Sequence, residues 1–227
     1  MPKILEVIVT SVEEAIEAEA GGADRLELVR DLEVGGLTPE LSLVEAVLDV
    51  ITVPVRVMLR LAASMSAGGV EQMCELRSCA QLLSRLPIDG LVAGFMQDES
   101  IDLTAMSAVV SAAPQSRFTF HRAFDELRDP LASLEQLKCI PQVDRILTVG
   151  GAGDWAERRK QLLDWQKAAV PSIEILVGAG LSPAVLEDLR ITPELREIHI
   201  GRAARARHCV SGPVEREAVR RVRSALQ

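Results

Sequence analysis

The sequence has few aromatic residues. They make up 3% of its 227 residues, and tyrosine is absent. No tyrosine hydroxyl is therefore present to serve as a proton donor, and aliphatic side chains must fill the core. Hydrophobic residues account for 48% of the chain, enough for one large core. Single α/β barrels reach this length, so we expect one domain over residues 1–227.

Long hydrophobic runs and targeting patterns are also missing. No window approaches eighteen uninterrupted apolar residues, and the first fifteen residues contain no basic stretch followed by an apolar one. We therefore expect a cytoplasmic protein without a membrane partner. The net charge is −8 and the basic residues are scattered, apart from residues 202–207 and the last helix. This distribution disfavours nucleic acid as a partner.

Cysteine is scarce. The four cysteines, Cys74, Cys79, Cys139 and Cys209, form no CxxC motif. This spacing predicts reduced thiols that are buried as small hydrophobic side chains. Cys74 and Cys79 fall on a predicted helix and are separated by about 140° around its axis, so we do not expect them to bind one ion together.

Short β-rich runs alternate with amphipathic segments along the chain, which is the pattern of parallel α/β architectures. The predicted strands are residues 4–9, 25–29, 55–60, 90–93, 117–121, 143–149, 173–177 and 197–200. Eight such strands predict a single (β/α)8 TIM-type barrel of the α/β class. The alternative is an open doubly wound sheet, but Thr10-Ser11-Val12 stands where that fold would place a glycine-rich phosphate loop.

Charged or imidazole side chains interrupt five of the predicted strands, where buried parallel strands should be aliphatic. They are Glu6, Glu27, Arg60, His121 and His199. Alternate residues of a strand face the same side, and barrel active sites lie at the carboxyl ends of the strands. We therefore predict one polar cluster at the barrel mouth, where a desolvated glutamate or histidine can act as acid or base. The alternative is a set of buried ion pairs, such as Arg60 with Glu6 or Glu27, that only satisfy one another.

Further polar residues lie close to this predicted cluster. Arg25 shares the strand face of Glu27, and Arg122 and Asp125 follow the fifth predicted strand on a loop that should overhang the mouth. We assign Arg25 and Arg122 to substrate or anion binding. Asp125 either joins the catalytic group or only caps a turn.

The last three predicted strands end in glycine-rich segments, which contain Gly150, Gly178, Gly180 and Gly201, the last followed by Arg202. Glycine lets backbone N–H groups approach an anion, and the next helix adds the positive end of its dipole. These residues are predicted to hold a phosphate or a polar sugar. The alternative is that glycine only turns the chain after a strand.

Four groups of motifs resemble the CutC copper-homeostasis family. They are Leu5-Glu6-Val7 with Ser11 and Ala15, residues 22–28 with 35–39, residues 118–125, and Gly178-Ala179-Gly180 with Glu197-Ile198-His199. The resemblance covers nearly the whole chain. It implies a barrel, a cytoplasmic location, homo-oligomers and a role connected with copper tolerance.

The resemblance also indicates what is missing from this chain. The family often places cysteines after the glutamates of the first two strands, whereas this sequence has Ile8, Val9 and Val29 there. Copper(I) selects thiolate and thioether ligands, so copper is disfavoured, and Met58 alone offers a sulfur toward the cluster. The glutamates, Arg60 and the two histidines do match the family pattern, which leaves a hard-ligand, acid/base site.

We therefore expect a small-molecule enzyme, a lyase, isomerase or hydrolase, that acts on a polyhydroxylated or phosphorylated compound. Arg60 would steady an oxyanion. The expected catalytic residues are Glu6, Glu27, Arg60, His121, His199 and Asp125. A divalent manganese, zinc or magnesium ion is the expected cofactor, with Glu6, Glu27, His121 and His199 as its ligands. The alternatives are a copper-binding or copper-homeostasis protein without catalysis and a non-catalytic sensor or scaffold.

Overall fold

The computed structural model describes residues 2–178 and 180–227. Within them, eight parallel strands form a closed barrel in the order β1-β10-β9-β8-β7-β4-β3-β2. The barrel strands are β1 (Ile4–Val9), β2 (Arg25–Leu28), β3 (Val55–Met58), β4 (Gly90–Ala93), β7 (Arg117–Phe120), β8 (Val143–Thr148), β9 (Glu174–Gly178) and β10 (Glu197–Ile200). A short antiparallel ribbon, β5 (Met96–Gln97) and β6 (Ser100–Ile101), follows β4. The predicted (β/α)8 barrel is confirmed, and each predicted strand overlaps an observed one.

The helices lie between the strands. Among the described residues they are α1 (Val12–Gly21), α2 (Leu41–Leu48), α3 (Val70–Leu83), α4 (Leu103–Ala112), α5 (Pro130–Lys138), α6 (Trp155–Ala169), α7 (Pro183–Arg190) and α8 (Arg216–Ala225). Side-chain oxygens cap several of their amino ends. Ser11 accepts the N–H of Glu14, and Ser182 accepts the N–H of Val185. In the part of the chain that the structure describes, no helix is long and apolar enough to cross a membrane.

Alternate residues of each strand face opposite sides, one toward the helices and the other into the barrel. On β1, Leu5, Val7 and Val9 belong to the large apolar core between strands and helices. Ile8 faces the opposite side and packs inside the barrel in a small cluster with Val29, Met58 and Val92. Glu6 lies on the same inward face as Ile8, two residues deeper along the strand.

The barrel interior below this small cluster is charged rather than aliphatic. Arg25 lies between two carboxylates and donates to Glu6 at 2.5 Å and to Glu197 at 2.5 Å. Arg56 is fully buried and donates to Asp144, Asp89 and Thr119 at 2.7 to 2.8 Å. Arg145 joins the two halves through Glu197 at 2.7 Å and Asp144 at 2.6 Å. We call these ion-paired groups, Glu6, Arg25, Arg56, Asp89, Asp144, Arg145 and Glu197, the charged belt.

The cysteines lie outside the cores. In the described chain all four thiols are free; Cys74, Cys139 and Cys209 are exposed, and Cys79 is half-buried. The prediction of buried thiols is therefore wrong. On α3 the buried face is formed by Leu76, Ala80 and Leu83, which leaves Cys74 on another face of that helix.

Candidate functional site

A cavity of about 780 Å³ opens where the barrel strands end. This volume is typical of a small-molecule site. Residues from at least six strand ends or the loops after them surround it. The predicted site residues that line it are Glu27, Arg60, His121, Arg122, Asp125, Gly178, Gly180, His199, Gly201 and Arg202.

Glu6, Glu27 and His199 form a compact cluster at the base of the mouth. Strand register brings them together, since Glu6 stands opposite His199 on β10 and Ile8 stands opposite Glu27 on β2. His199 Nδ1 lies 2.8 Å from Glu6 Oε1 and 3.5 Å from Glu27 Oε2. The predicted convergence of these three residues is therefore observed. Glu6 is the deepest, beneath the residues that line the cavity.

The charge states of Glu6 and His199 are fixed by their neighbours. Burial alone would raise the pKa of Glu6, but Arg25 and His199 outweigh it and hold that pKa well below its usual range. Burial would lower the pKa of His199, but the two glutamates raise it above its usual value. His199 is thus favoured as an imidazolium beside an ionised Glu6.

Glu27 differs from Glu6 because one of its carboxyl oxygens accepts no hydrogen bond from the described residues. Oε2 is buried and has no hydrogen-bond partner among the described residues. Burial raises the pKa of Glu27 to about 7, with Glu6 adding to the rise and His199 opposing it. A carboxyl group with a pKa near neutrality can both take up and release a proton under physiological conditions.

His121 is a buried, neutral imidazole on another side of the cavity. Its Nδ1 accepts the backbone N–H of Ala123 at 3.1 Å, so the ring proton is assigned to Nε2. That Nε2 is buried and has no partner in the described structure. Burial, together with the charges of Arg60 and Arg122, lowers the pKa of His121 to about 3. The ring is therefore a hydrogen-bond donor at neutral pH.

Arg60 lines the cavity and also ties two loops together. Its guanidinium donates to the carbonyl oxygens of Gly35 at 3.3 Å and Gly36 at 3.4 Å, and to that of Ala63. Among the described residues no carboxylate lies within ion-pair distance of it. Arg60 therefore brings to the wall a positive charge that has no direct salt bridge and that Glu126 offsets only from a greater distance, and most of its N–H groups are already engaged.

Two predicted anion-binding residues do not line the cavity. Arg25 lies below it with its guanidinium between Glu6 and Glu197, so the prediction that Arg25 binds an anion is wrong. Gly150 donates its N–H to Thr148 Oγ1 at 3.0 Å, and the Leu162 side chain fills the space beside it. Gly150 therefore only turns the chain after β8, which is the alternative to anion binding that the sequence left open.

Asp125 connects two strand ends. Its Oδ1 accepts the hydroxyl of Thr148 at 2.5 Å and the N–H of Val149 at 3.1 Å, both at the end of β8. Its Oδ2 pairs with the exposed Arg122 at 3.3 Å. Asp125 therefore ties the loop after β7 to the end of β8 rather than capping a turn, and it lines the cavity, while Arg122 remains at the opening.

The last glycine segments form one wall of the cavity. Gly180 has φ +66°, a backbone conformation that favours glycine, and lies beside Arg158. Ser182 at the start of α7 and the exposed Arg202 complete this wall. The neighbouring Ala179 of the family motif lies outside the described residues.

Sequence reasoning predicted Gly201 and Arg202 after β10 but missed the rest of that loop as a cavity wall. Ala203, His208 and Val210 line the cavity. The loop is anchored by Arg205, which donates to Glu14 of α1 at 2.5 and 2.9 Å. No sequence signal distinguishes this buried pair, because an acid in the first turn of a helix and a loop arginine are both common on surfaces.

The donor set at the mouth has consequences for metal binding. Among the described residues, Glu6, Glu27 and His199 are the only group of three or more potential histidine, cysteine or carboxylate ligands, with their ligand atoms within 4.8 Å of one another. Carboxylate and imidazole donors suit manganese, zinc or magnesium, whereas copper(I) requires softer ligands. His121, the predicted fourth ligand, lies outside this group. In the structure Glu6 and His199 share a hydrogen bond, and Glu27 lies within ion-pair distance of His199.

Comparisons with known proteins agree with the resemblance found in the sequence. A family model described as the CutC family matches residues 3–204. A CutC family protein of Xanthomonas campestris pv. campestris is 33% identical over 237 residues, which cover 98% of this chain and 97% of the relative. One of Histophilus somni is 33% identical over 197 residues, which cover 86% of this chain and 81% of the relative.

Solved structures share the barrel. The crystal structure of a CutC protein from Streptococcus agalactiae, whose name refers to copper homeostasis, has a TM-score of 0.77 at 23% identity and covers 87% of this chain and 97% of its own. A phosphoribosyl anthranilate isomerase from Thermococcus kodakaraensis has a TM-score of 0.62 at 14% identity, over 99% of both chains. At these identities the structural likeness establishes the fold alone.

Proposed function

We propose that this chain, which belongs to the CutC family, is an enzyme that performs acid/base chemistry on a small polyhydroxylated or phosphorylated compound. The reaction class is that of a lyase, isomerase or hydrolase. The proposal needs one group that exchanges a proton with a bound molecule and a wall that holds polar or anionic substituents.

The observation that supports this proposal is the free carboxyl oxygen of Glu27. An unpartnered buried oxygen costs folding free energy, and groups of this kind with a shifted pKa concentrate at functional sites. Glu27 lines the cavity, is 1% exposed and has a pKa raised to about 7. A hydroxyl group of a bound molecule would give Oε2 the partner that it lacks.

The neighbouring residues serve different purposes in this proposal. Arg25 keeps Glu6 ionised, and Glu6 holds His199 in place at 2.8 Å. Arg25 and Glu6 are therefore positioning residues, and Glu27 is the group that exchanges the proton. Arg122 and Arg202 stand at the opening, where a phosphate or another anionic substituent would lie.

Copper binding without catalysis is the alternative that the names of relatives suggest. Of the described residues that line the cavity, none is a cysteine, and the sulfur atoms there belong to two methionines, Met58 and Met65. The donors at the mouth therefore do not fit a copper(I) thiolate site, and no step is assigned to copper. Homo-oligomers and a cytoplasmic location stay predictions from the family resemblance.

Ligand-dependent thermal stability tests the proposal. The wild-type protein, Glu27→Gln and the control Glu174→Gln would be melted with D-ribose 5-phosphate, D-glucose 6-phosphate and the free sugars. Glu174 is a suitable control because it pairs with Arg196 at 3.3 Å and does not line the cavity. A ligand at about 100 times its Kd stabilises by about 2.7 kcal/mol, which raises Tm by roughly 5–11 °C for a chain of this size.

We expect at least one compound to raise the Tm of the wild type and of Glu174→Gln, and not that of Glu27→Gln. Unchanged ligand responses in Glu27→Gln would contradict the proposal. In that case the carboxyl cluster is a structural feature of the barrel interior.

A further inference from the structure

Two residues that line the same cavity, Glu27 and His121, each carry a buried polar atom without a hydrogen-bond partner among the described residues, although Glu27 Oε2 lies 3.5 Å from His199 Nδ1. Oε2 of Glu27 can only accept a hydrogen bond when ionised, and Nε2 of His121 carries a proton to donate. The other buried side-chain atoms without a hydrogen-bond partner among the described residues are the Nε atoms of Arg205 and of Arg159, the latter in an ion pair with Asp188 at 2.7 Å. Neither of those residues lines the cavity.

The two atoms come from different sides of the barrel mouth. Glu27 lies on β2 and His121 follows β7, with β3 and β4 between them along the shorter path around the barrel. A molecule that satisfies both must present a hydrogen to the carboxylate and an oxygen acceptor to the imidazole. A compound meets this requirement when its carbonyl group is next to a carbon that carries a hydrogen and a hydroxyl group.

The neutral state of His121 restricts its chemistry further. Nδ1 is engaged by the N–H of Ala123, so the ring cannot accept a proton there without breaking that contact. Nor is Nε2 a base, because it already carries the ring proton. The imidazole can polarise a carbonyl group through a hydrogen bond while remaining neutral. A glutamate base opposite a neutral imidazole donor is a known solution for moving a proton next to a carbonyl group.

We propose that the cavity binds α-hydroxycarbonyl compounds and interconverts their aldehyde and ketone forms, with Glu27 as the base and the Nε2–H group of His121 as the donor to the carbonyl oxygen. This inference rests on the proposed function and names its substrate class and reaction. The exposed Arg122 and Arg202 would accommodate a phosphate on the same compound, but the reaction does not depend on one.

The proton transfers balance without a co-reactant. Glu27 takes the proton from the hydroxyl-bearing carbon, and the electron pair of that C–H bond forms the C=C bond of an enediolate. The carbonyl π electrons move to oxygen, where the N–H group of His121 stabilises the charge. Glu27 then returns its proton to the former carbonyl carbon, while a hydroxyl proton passes between the two oxygens.

The first test concerns His121 alone and needs no substrate. The chain contains three histidines, so the ¹⁵N spectrum of the histidine rings is assignable with His121→Gln and His208→Gln. At pH 7 we expect His121 to show a protonated Nε2 and an unprotonated Nδ1, and addition of glycolohydroxamate, an enediolate mimic, to shift the Nε2–H signal. A proton on Nδ1 or a charged ring at pH 7 would overturn the inference and leave the proposed role of Glu27 intact.

The second test measures proton exchange directly. The full chain would be incubated in D₂O with glycolaldehyde, D-ribose 5-phosphate or D-glucose 6-phosphate, and loss of the α-C–H signal followed by NMR. We expect exchange in the wild type and in Glu174→Gln. Exchange should fall about 10²–10⁴-fold in Glu27→Gln and about 10²–10³-fold in His121→Ala, with part of the rate retained in His121→Gln, whose amide can donate.

The outcomes separate this inference from the proposed function. Glu27-dependent binding of these compounds without exchange would overturn the isomerisation and leave an acid/base enzyme of another class. Exchange that survives Glu27→Gln would overturn both. Absence of binding and exchange for all three compounds would overturn the substrate class named here.

Discussion

Replacing Glu27 by glutamine should change how the stability of the protein depends on pH. The carboxyl group has an ordinary pKa of 4.5 and a folded-state pKa of about 7, chiefly because burial disfavours its ionised form. Between these two values the folded protein binds a proton that the unfolded chain has released. Stability is therefore present at low pH and is lost as the pH rises through this window. Glutamine has a similar shape and cannot ionise, so the loss should disappear.

The size of this effect follows from the pKa difference. Each unit of pKa corresponds to about 1.4 kcal/mol, and integration from pH 5 to pH 8 gives a loss of roughly 2–3 kcal/mol in the wild type. Relative to the wild type, Glu27→Gln should therefore gain roughly 2–3 kcal/mol over this range, which corresponds to roughly 4–12 °C in Tm. Groups remote from Glu27 are present in both proteins and contribute equally, whereas the pKa of His199 falls when Glu27 is removed, so the measured difference belongs to the Glu27–His199 pair.

Urea unfolding at pH 5, 6, 7 and 8 measures this difference. Glu174→Gln serves as the control and should follow the wild type at every pH, because its carboxyl group lies outside the charged belt. The reasoning would be refuted by a stability difference between Glu27→Gln and the wild type that does not change with pH. It would also be refuted by a variant that becomes progressively less stable than the wild type toward pH 8.

Three further predictions follow from the contacts. Arg25→Met should cost about 3–5 kcal/mol in urea unfolding, since it removes the cation between two buried carboxylates and leaves Glu6 with His199 alone and Glu197 with Arg145 alone, whereas Arg190→Met on the surface should leave Tm unchanged. Arg60→Gln should speed hydrogen exchange of the amides in residues 31–36 and 61–64, and protection equal to the wild type would exclude Arg60 as their tether. Copper(I) should bind no more tightly than to a generic reduced-thiol protein in competition with a chelator. A tight stoichiometric site that survives replacement of all four cysteines would contradict this.

Bound metal is a separate prediction from copper. Metal analysis of protein purified without an affinity-tag metal should find manganese, zinc or magnesium if a divalent ion occupies Glu6, Glu27 and His199. Glu6→Gln should then reduce its content. If the purified protein contains no such ion, the expected cofactor is wrong, and the metal-free arrangement of the three groups describes the working site.

Much of the fold and part of the site are predictable because strands have a period of two. A polar residue within an apolar strand is conspicuous, and parity alone places Glu6 and Glu27 inside the barrel. Closure of the barrel then brings the first and last strands together, so Glu6 and His199 meet although 193 residues separate them. Pattern and topology suffice for this contact, and no detail of side-chain geometry is needed.

Parity cannot predict depth or hydrogen-bond partners. Arg25 and Glu27 share one strand face, yet two residues of depth place Arg25 in the charged belt and Glu27 at the cavity. For His121, the decisive fact is that a backbone N–H occupies Nδ1, which no sequence pattern indicates. The prediction failed for Cys74 because an apolar side chain is no guarantee of burial when three other residues already fill the inner face of α3. Cys139 and Cys209 lie at the end of α5 and in the loop after β10.

The charge balance of the barrel interior explains why Glu27 is the group left to exchange a proton. Three arginines and the His199 imidazolium face four carboxylates, and each of these four lies 2.5 to 2.7 Å from an arginine nitrogen. These eight charges cancel, and the carboxyl group of Glu27 is the surplus fifth. A buried network of this kind contributes little net stability compared with aliphatic packing, so stability alone does not account for it. The network does keep His199 charged, and the pKa of Glu27 lies at about 7. Glu27 is therefore the group whose proton a ligand in the cavity can take or supply.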